Sequence, residues 1–179
     1  MKVRGDLSTK LIHLIRGNTA AEVKEKFASI LKFRELRGGA GFIKGGYRCV
    51  CFSEAPLSVL SQMLGDEDMR YAPLGVIVSK VWLFQRGGRP VIYQTDAERD
   101  LLPEDIRYRH VRYEPDDVDF TWEREWRIRT DALPLDPEQT TIAVPSRRWV
   151  DAFGDQGWHF LVLDDLGVKA ETDLWDAYR

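Results

Sequence analysis

The sequence predicts an α+β fold with a mixed, largely antiparallel sheet and flanking helices. Two observations predict it: segments that read as strands outnumber those that read as helices, and several strands sit at hairpin spacing. A third bounds it. At 179 residues, with 44% apolar residues and six Trp, six Tyr and eight Phe, the chain suits a single domain, residues 1–179, with a filled core.

The elements follow in order. Lys10 to Arg16, KLIHLIR, reads as a first strand. Thr19 and Glu22 form a T-x-x-E capping box, so a helix starts near residue 19. Val23, Phe27, Ile30 and Leu31 give its buried stripe, and Gly38-Gly39 is the expected stop. Residues 47–53, YRCVCFS, read as a second strand, with Ser53 as cap of a helix carrying Leu57, Leu60, Met63 and Leu64. Residues 73–84 contain a β-branched strand, and 90–95 another after the Gly87-Gly88 turn. Leu101 to Ile106 read as a short helix, residues 119–129, DFTWEREWRIR, as a long alternating strand, and 140–145 and 159–163 as two more strands flanking a helix that begins near Ser146. The expected core comprises Ile12, Leu14, Phe27, Ile30, Leu31, Val50, Leu60, Val76, Val78, Val91, Trp126, Ile128 and Val162.

Charge is unevenly spread. The net charge is −3, which excludes an overall basic nucleic-acid binder, yet residues 1–50 hold 11 Lys and Arg against 4 Asp and Glu, a net of +7. That segment suits either an anion or a solvated helix face. Cys49 and Cys51 point the same way on a strand, and are expected reduced, buried and metal-free. With three histidines and no other cysteine, no zinc site is expected. The N-terminal MKVRGDLSTK predicts no leader peptide, no apolar run is long enough for a membrane span, and the expected location is the cytoplasm.

Three constellations carry chemistry. Alternation along 119–129 places Phe120, Trp122, Trp126 and Ile128 on one face, and Thr121, Glu123, Glu125, Arg127 and Arg129 on the other. Two carboxylates on one face repel unless something answers them; they serve either as an acid–base pair or in ion pairs with Arg127, Arg129 or a neighbouring strand. The second constellation is Cys51-Phe52-Ser53-Glu54-Ala55-Pro56, a strand-to-helix junction able to meet an anion or ribose hydroxyl, or simply to cap a helix. The third is His13-x-x-Arg16, in which His13 reads as a core histidine or a ligand and Arg16 is better placed to reach a phosphate. No P-loop, G-x-G-x-x-G or G-x-S-x-G is present. A metal-dependent nuclease built on Asp116, Glu123 and Glu125 lacks its lysine, since none lies between Lys80 and Lys169.

This order of His13 or Arg16, then Ser53, then Glu123-x-Glu125 resembles the ADP-ribosyltransferase pattern. The resemblance implies NAD as cofactor, Arg16 or His13 and Ser53 as its binders, Glu125 as the carboxylate that activates the nicotinamide ribose, and Glu123 as its upstream partner. The family's Ser-Thr-Ser is replaced here by Phe52-Ser53-Glu54. Over residues 45–130, the segments CVCFSEAPL, GVIVSKVWL, PVIY and EREWR are similar to the AbiGi abortive phage-resistance family. That likeness implies phage defence or a toxin–antitoxin pair. The functional expectation is an NAD-dependent ADP-ribosyltransferase-like enzyme acting on a protein or nucleic acid, away from membranes. The alternative is a non-catalytic antitoxin or regulatory module that binds a protein or nucleic acid through the basic segment. The enzyme reading places Glu123 and Glu125 in a cleft with Ser53 and Arg16 or His13, and packs Trp122 and Trp126 behind them.

Overall fold

A computed structural model describes residues 8–54 and 71–168. In chain order they form β1 (Lys10–Arg16), α1 (Ala20–Phe33), β2 (Glu35–Arg37), β3 (Cys49–Ser53), β4 (Tyr71–Ser79), α2 (Lys80–Gln85), β5 (Arg89–Pro90), β6 (Ile92–Gln94), α3 (Asp96–Arg99), β7 (His110–Arg112), β8 (Glu125–Arg129), β9 (Ala132–Pro134), β10 (Thr140–Val144), α4 (Arg147–Phe153) and β11 (His159–Val162). Pairing is mixed and largely antiparallel: β3 with β8, β5 with β8 and β10 with β4 run antiparallel, whereas β10 with β11 and β6 with β7 run parallel. The α+β class read from the sequence is the class observed. The expected helix with Leu57, Leu60, Met63 and Leu64 falls on residues outside the described ones, whereas Ser53, its expected cap, is the last residue of β3.

The chain divides into two units: Met1–Leu11, Leu36–Ala55 and Ser79–Leu133 form the first; Ile12–Glu35, Pro56–Val78 and Pro134–Arg179 form the second. The second holds strand order β11-β10-β4-β1 with α1 and α4. Thr19 caps α1, its side chain accepting from the Glu22 N–H at 3.2 Å. Glu22 reaches back one residue further than a capping box does, to the Asn18 N–H at 2.9 Å. Val23, Phe27, Ile30 and Leu31 are buried as their spacing predicts. Phe27 meets Trp149 and Phe153 of α4 edge-on, at centroid distances of 5.6 and 5.5 Å. Val162, expected in the core, is only half-buried, while its neighbour Leu163 is 1% exposed.

The expected Gly38-Gly39 stop is not where α1 ends. The helix closes at Phe33, and Arg34 takes the left-handed cap conformation at φ 52°, donating its N–H to the Ile30 carbonyl. The chain then turns extended at β2, which a helix running on to Gly38 would preclude. Gly38 has a different job in the first unit. A Cβ there would sit 1.9 Å from the Thr130 carbonyl oxygen, so only glycine permits that backbone approach. Gly38→Ala is expected to lower the urea unfolding free energy by about 3 kcal/mol, the upper range for forced overpacking, as read by the shift in unfolding midpoint at constant m-value.

The first unit contains β3-β8-β5 and the parallel pair β6-β7. Residues 73–84 split at Ser79. Its side chain accepts from the Trp82 N–H at 3.0 Å, so Lys80 onward is helical rather than strand. The larger departure lies at 119–129. Only Glu125–Arg129 is strand; Thr121–Glu123 is a 3-10 turn closed by Arg124 at φ 46°. The left-handed residue breaks the period of two, so Phe120 and Trp122 leave the packed face and are 41% and 37% exposed, whereas Glu123 is buried. Trp126 and Ile128, beyond the break, are buried as expected.

Candidate functional site

Cross-strand register builds the site. β3 and β8 pair Cys49 with Arg129, Cys51 with Arg127 and Ser53 with Glu125, so these side chains share one face, and Val50, Phe52, Trp126 and Ile128 form the apolar other face. The face is covered: Arg127 donates through Nη1 to the Tyr108 and His110 carbonyls at 2.8 and 2.9 Å. His110 is itself buried, its Nε2 lying 3.1 Å from the Thr95 carbonyl.

Glu125 is held from several sides. Arg127 grips its carboxylate with two parallel bonds, Nε to Oε1 at 2.8 Å and Nη2 to Oε2 at 3.0 Å. The two side chains are only 13% and 9% exposed, so this is a buried ion pair, not the exposed one that strand alternation also allowed. The Cys51 thiol hydrogen-bonds to the same carboxylate. The Tyr93 hydroxyl accepts from the Glu125 N–H at 3.1 Å and donates to the Phe120 carbonyl at 3.2 Å, pinning the turn to the strand.

Ser53 and Glu123 meet differently from the expectation. Ser53 Oγ donates to the Glu123 carbonyl at 2.6 Å, and the Glu54 N–H is shared between the Glu123 and Arg124 carbonyls at 3.3 Å each. These bonds hold the left-handed turn that separates Glu123 from Glu125. The two carboxylates therefore do not follow each other along one strand face. Ser53 and Glu125 remain directly opposed, and all three residues are in the first unit. His13 and Arg16 belong to the second. There the Arg16 guanidinium donates to the Tyr71 hydroxyl and lies 4.1 Å above that ring, and the His13 carbonyl passes against Gly75.

Sequence reading missed Glu54 as a side chain of consequence. It is 7% exposed, accepts from the Trp126 indole N–H at 3.0 Å and pairs with Lys80 at 2.6 Å. Its partners lie 26 and 72 positions away, so no local spacing could announce it. Only a lone acid at a strand's end, next to a serine, was visible.

Burial sets the protonation behaviour of this face. It pushes the Cys51 thiol well up, the Glu125 charge adding to the effect, and it raises Cys49 despite Arg127 nearby. Burial also pushes the Tyr93 hydroxyl up to about 12, against the Glu125 N–H bond that lowers it. For Arg127, burial works against the charge, but Glu125 outweighs it and the guanidinium holds its proton more tightly than usual. In all three neutral acids the folded value lies above the unfolded one. The unfolded chain therefore loses its protons first as pH rises, and stability is full below about pH 9 and declines above it. Urea midpoints measured from pH 7 to 11 should show this decline, and Cys51→Ala should flatten its first part.

Cys49 and Cys51 lie on one strand face with unbridged thiols; Cys49 is buried, and Cys51, expected buried, is half-buried. Among the described residues no helix is long and apolar enough to cross a membrane. Compared with known proteins, the chain matches no family model, no curated protein and no solved structure.

Proposed function

We propose that the chain is an NAD-dependent ADP-ribosyltransferase-like protein, with Glu125 as the carboxylate that stabilises the ribosyl cation. The observation that supports this reading is the direct opposition of Ser53 and Glu125 at the end of the β3–β8 ladder, on one strand face. A carboxylate offers about four acceptor positions. Arg127 uses one on each oxygen and Cys51 a further one, which leaves room for one donor such as a ribose 2′-hydroxyl. The chemistry needs little beyond positioning and a fixed negative charge where positive charge develops at the ribose. The resemblance in sequence assigns Arg16 or His13 and Ser53 to NAD and makes Glu123 the upstream partner of Glu125. It places the protein in phage defence or a toxin–antitoxin pair in the cytoplasm, with a protein or nucleic acid as target.

The clamp on Glu125 also favours a second reading. An arginine that ties a carboxylate to two backbone carbonyls is a structural brace, as in a non-catalytic regulatory module. The decisive experiment is incubation with nicotinamide-labelled and adenylate-labelled NAD and a bacterial lysate. Release of nicotinamide with label transferred to macromolecules is the expected result. Glu125→Gln, assayed per folded molecule, should transfer about 10²–10³ times more slowly, the usual loss for one preorganised electrostatic contact. No NAD binding or consumption by the parent protein would leave the brace reading in its place.

A further inference from the structure

We propose that the segment from α2 through β5, in the first unit, is a docking surface for single-stranded nucleic acid. The inference stands apart from NAD chemistry and rests on different side chains. Residues 69–95 contain no Asp or Glu but hold Arg70, Lys80, Arg86 and Arg89. Lys80 is taken by Glu54. Arg86 and Arg89 make no ion pair among the described residues, nor does Arg109, which donates to the Pro90 carbonyl at 2.9 Å and so lies beside β5.

The two arginines that flank the turn from α2 to β5 already lie over aromatic rings. Arg86 lies 4.0 Å from the Trp82 ring centroid, and Arg89 lies 3.8 Å from that of Phe84. Arg89 is fixed there by bonds to the Phe84 and Gly88 carbonyls at 2.8 and 2.7 Å, and Arg86 reaches the Trp82 carbonyl at 3.3 Å. Beside them Phe84 is 50% exposed and Val81 65%. The turn between them carries Gly87 at φ 95°, so no side chain blocks the backbone. Capping of α2 accounts for one side of Arg89. It accounts likewise for the Arg86 bond to Trp82, but not for two arginines without an acidic partner among the described residues or for an exposed phenyl ring in an acid-free stretch.

These features match what a single strand needs. Cations with remaining donors can meet phosphates, and exposed aromatic or guanidinium planes can stack bases whatever their sequence. An acidic peptide would use the charge but not the planar surface. A duplex keeps its bases stacked inside and would use only the charge.

The test is fluorescence anisotropy of the full chain with a labelled oligo-dT or oligo-U of about 12 nucleotides, within the usual site size, titrated between about 50 and 200 mM salt. The parent should bind, and more weakly as salt rises. Arg86→Glu, which removes the contact with the Trp82 ring and one bond to the Trp82 carbonyl, should weaken binding about tenfold and reduce the salt slope by about 0.7. Phe84→Ala should weaken it by a similar factor with the slope unchanged. Circular dichroism and urea midpoints of both variants establish that the fold is retained. Failure of the parent to bind, unchanged binding in both folded variants, tighter binding of a duplex, or binding of polyglutamate instead of the oligonucleotide would each overturn the proposal. Absence of NAD turnover leaves it standing, because neither variant touches Glu125.

Discussion

Glu125→Ala is expected to lower the unfolding free energy by about 3–5 kcal/mol, the range for removing one partner of a buried ion pair. Arg127 would be left 9% exposed with its charge unanswered, while still bound to the Tyr108 and His110 carbonyls. Isosteric shape alone does not protect Glu125→Gln from part of this cost, since glutamine supplies one neutral acceptor where the guanidinium meets two charged oxygens. The check is a double-mutant cycle. Glu125→Leu with Arg127→Met should recover a large part of the loss, giving a coupling energy of about 2–3 kcal/mol. A coupling near zero, with Glu125→Ala costing less than about 0.5 kcal/mol, would mean that the pair contributes nothing to the fold. The same cycle bears on the proposed chemistry, because a catalytic carboxylate that is also a brace must be assayed on folded protein only.

Trp149→Ala is expected to cost about 3–5 kcal/mol, the usual loss for truncating a buried Trp. Trp149 is 2% exposed, meets Phe27 edge-on at 5.6 Å and stacks on Phe153 at 6.2 Å. Its removal opens a cavity between α1 and α4 that three aromatic rings now fill, and backbone relaxation cannot close a space of that size. Urea and thermal unfolding of the variant would measure this. Conservative replacement by Phe should restore more than half of the loss. A variant as stable as the parent would show that α4 does not anchor the second unit.

Local periodicity determined much of the fold. The Thr19 start and the Val23, Phe27, Ile30 and Leu31 stripe of α1 follow from contacts within one or two turns, which the chain carries in its own spacing. The strands β1, β3, β10 and β11 follow likewise from short apolar runs bounded by turn residues. The candidate pair Ser53 and Glu125 was legible as residue types at strand ends; their opposition in the β3–β8 register was not, because register depends on which strands meet.

Tertiary structure decided the rest. A polar–apolar alternation over 119–129, interrupted at Arg124 alone, reads as one strand, yet that residue, at φ 46°, turns it, held by Ser53 and Glu54 from some 70 positions away. That turn exposes Trp122, buries Glu123 and keeps Glu125 on the strand. The helix stop fell to Arg34 rather than Gly38, since the strand β2, which pairs with β9, begins at Glu35 and outweighs the local preference for glycine at a cap. Glu54 became a buried carboxylate only because Lys80 and Trp126 came to it. A residue's type and periodicity state which neighbours it can accept; long-range hydrogen bonds and ion pairs, whose strength depends on burial, select which neighbours it has.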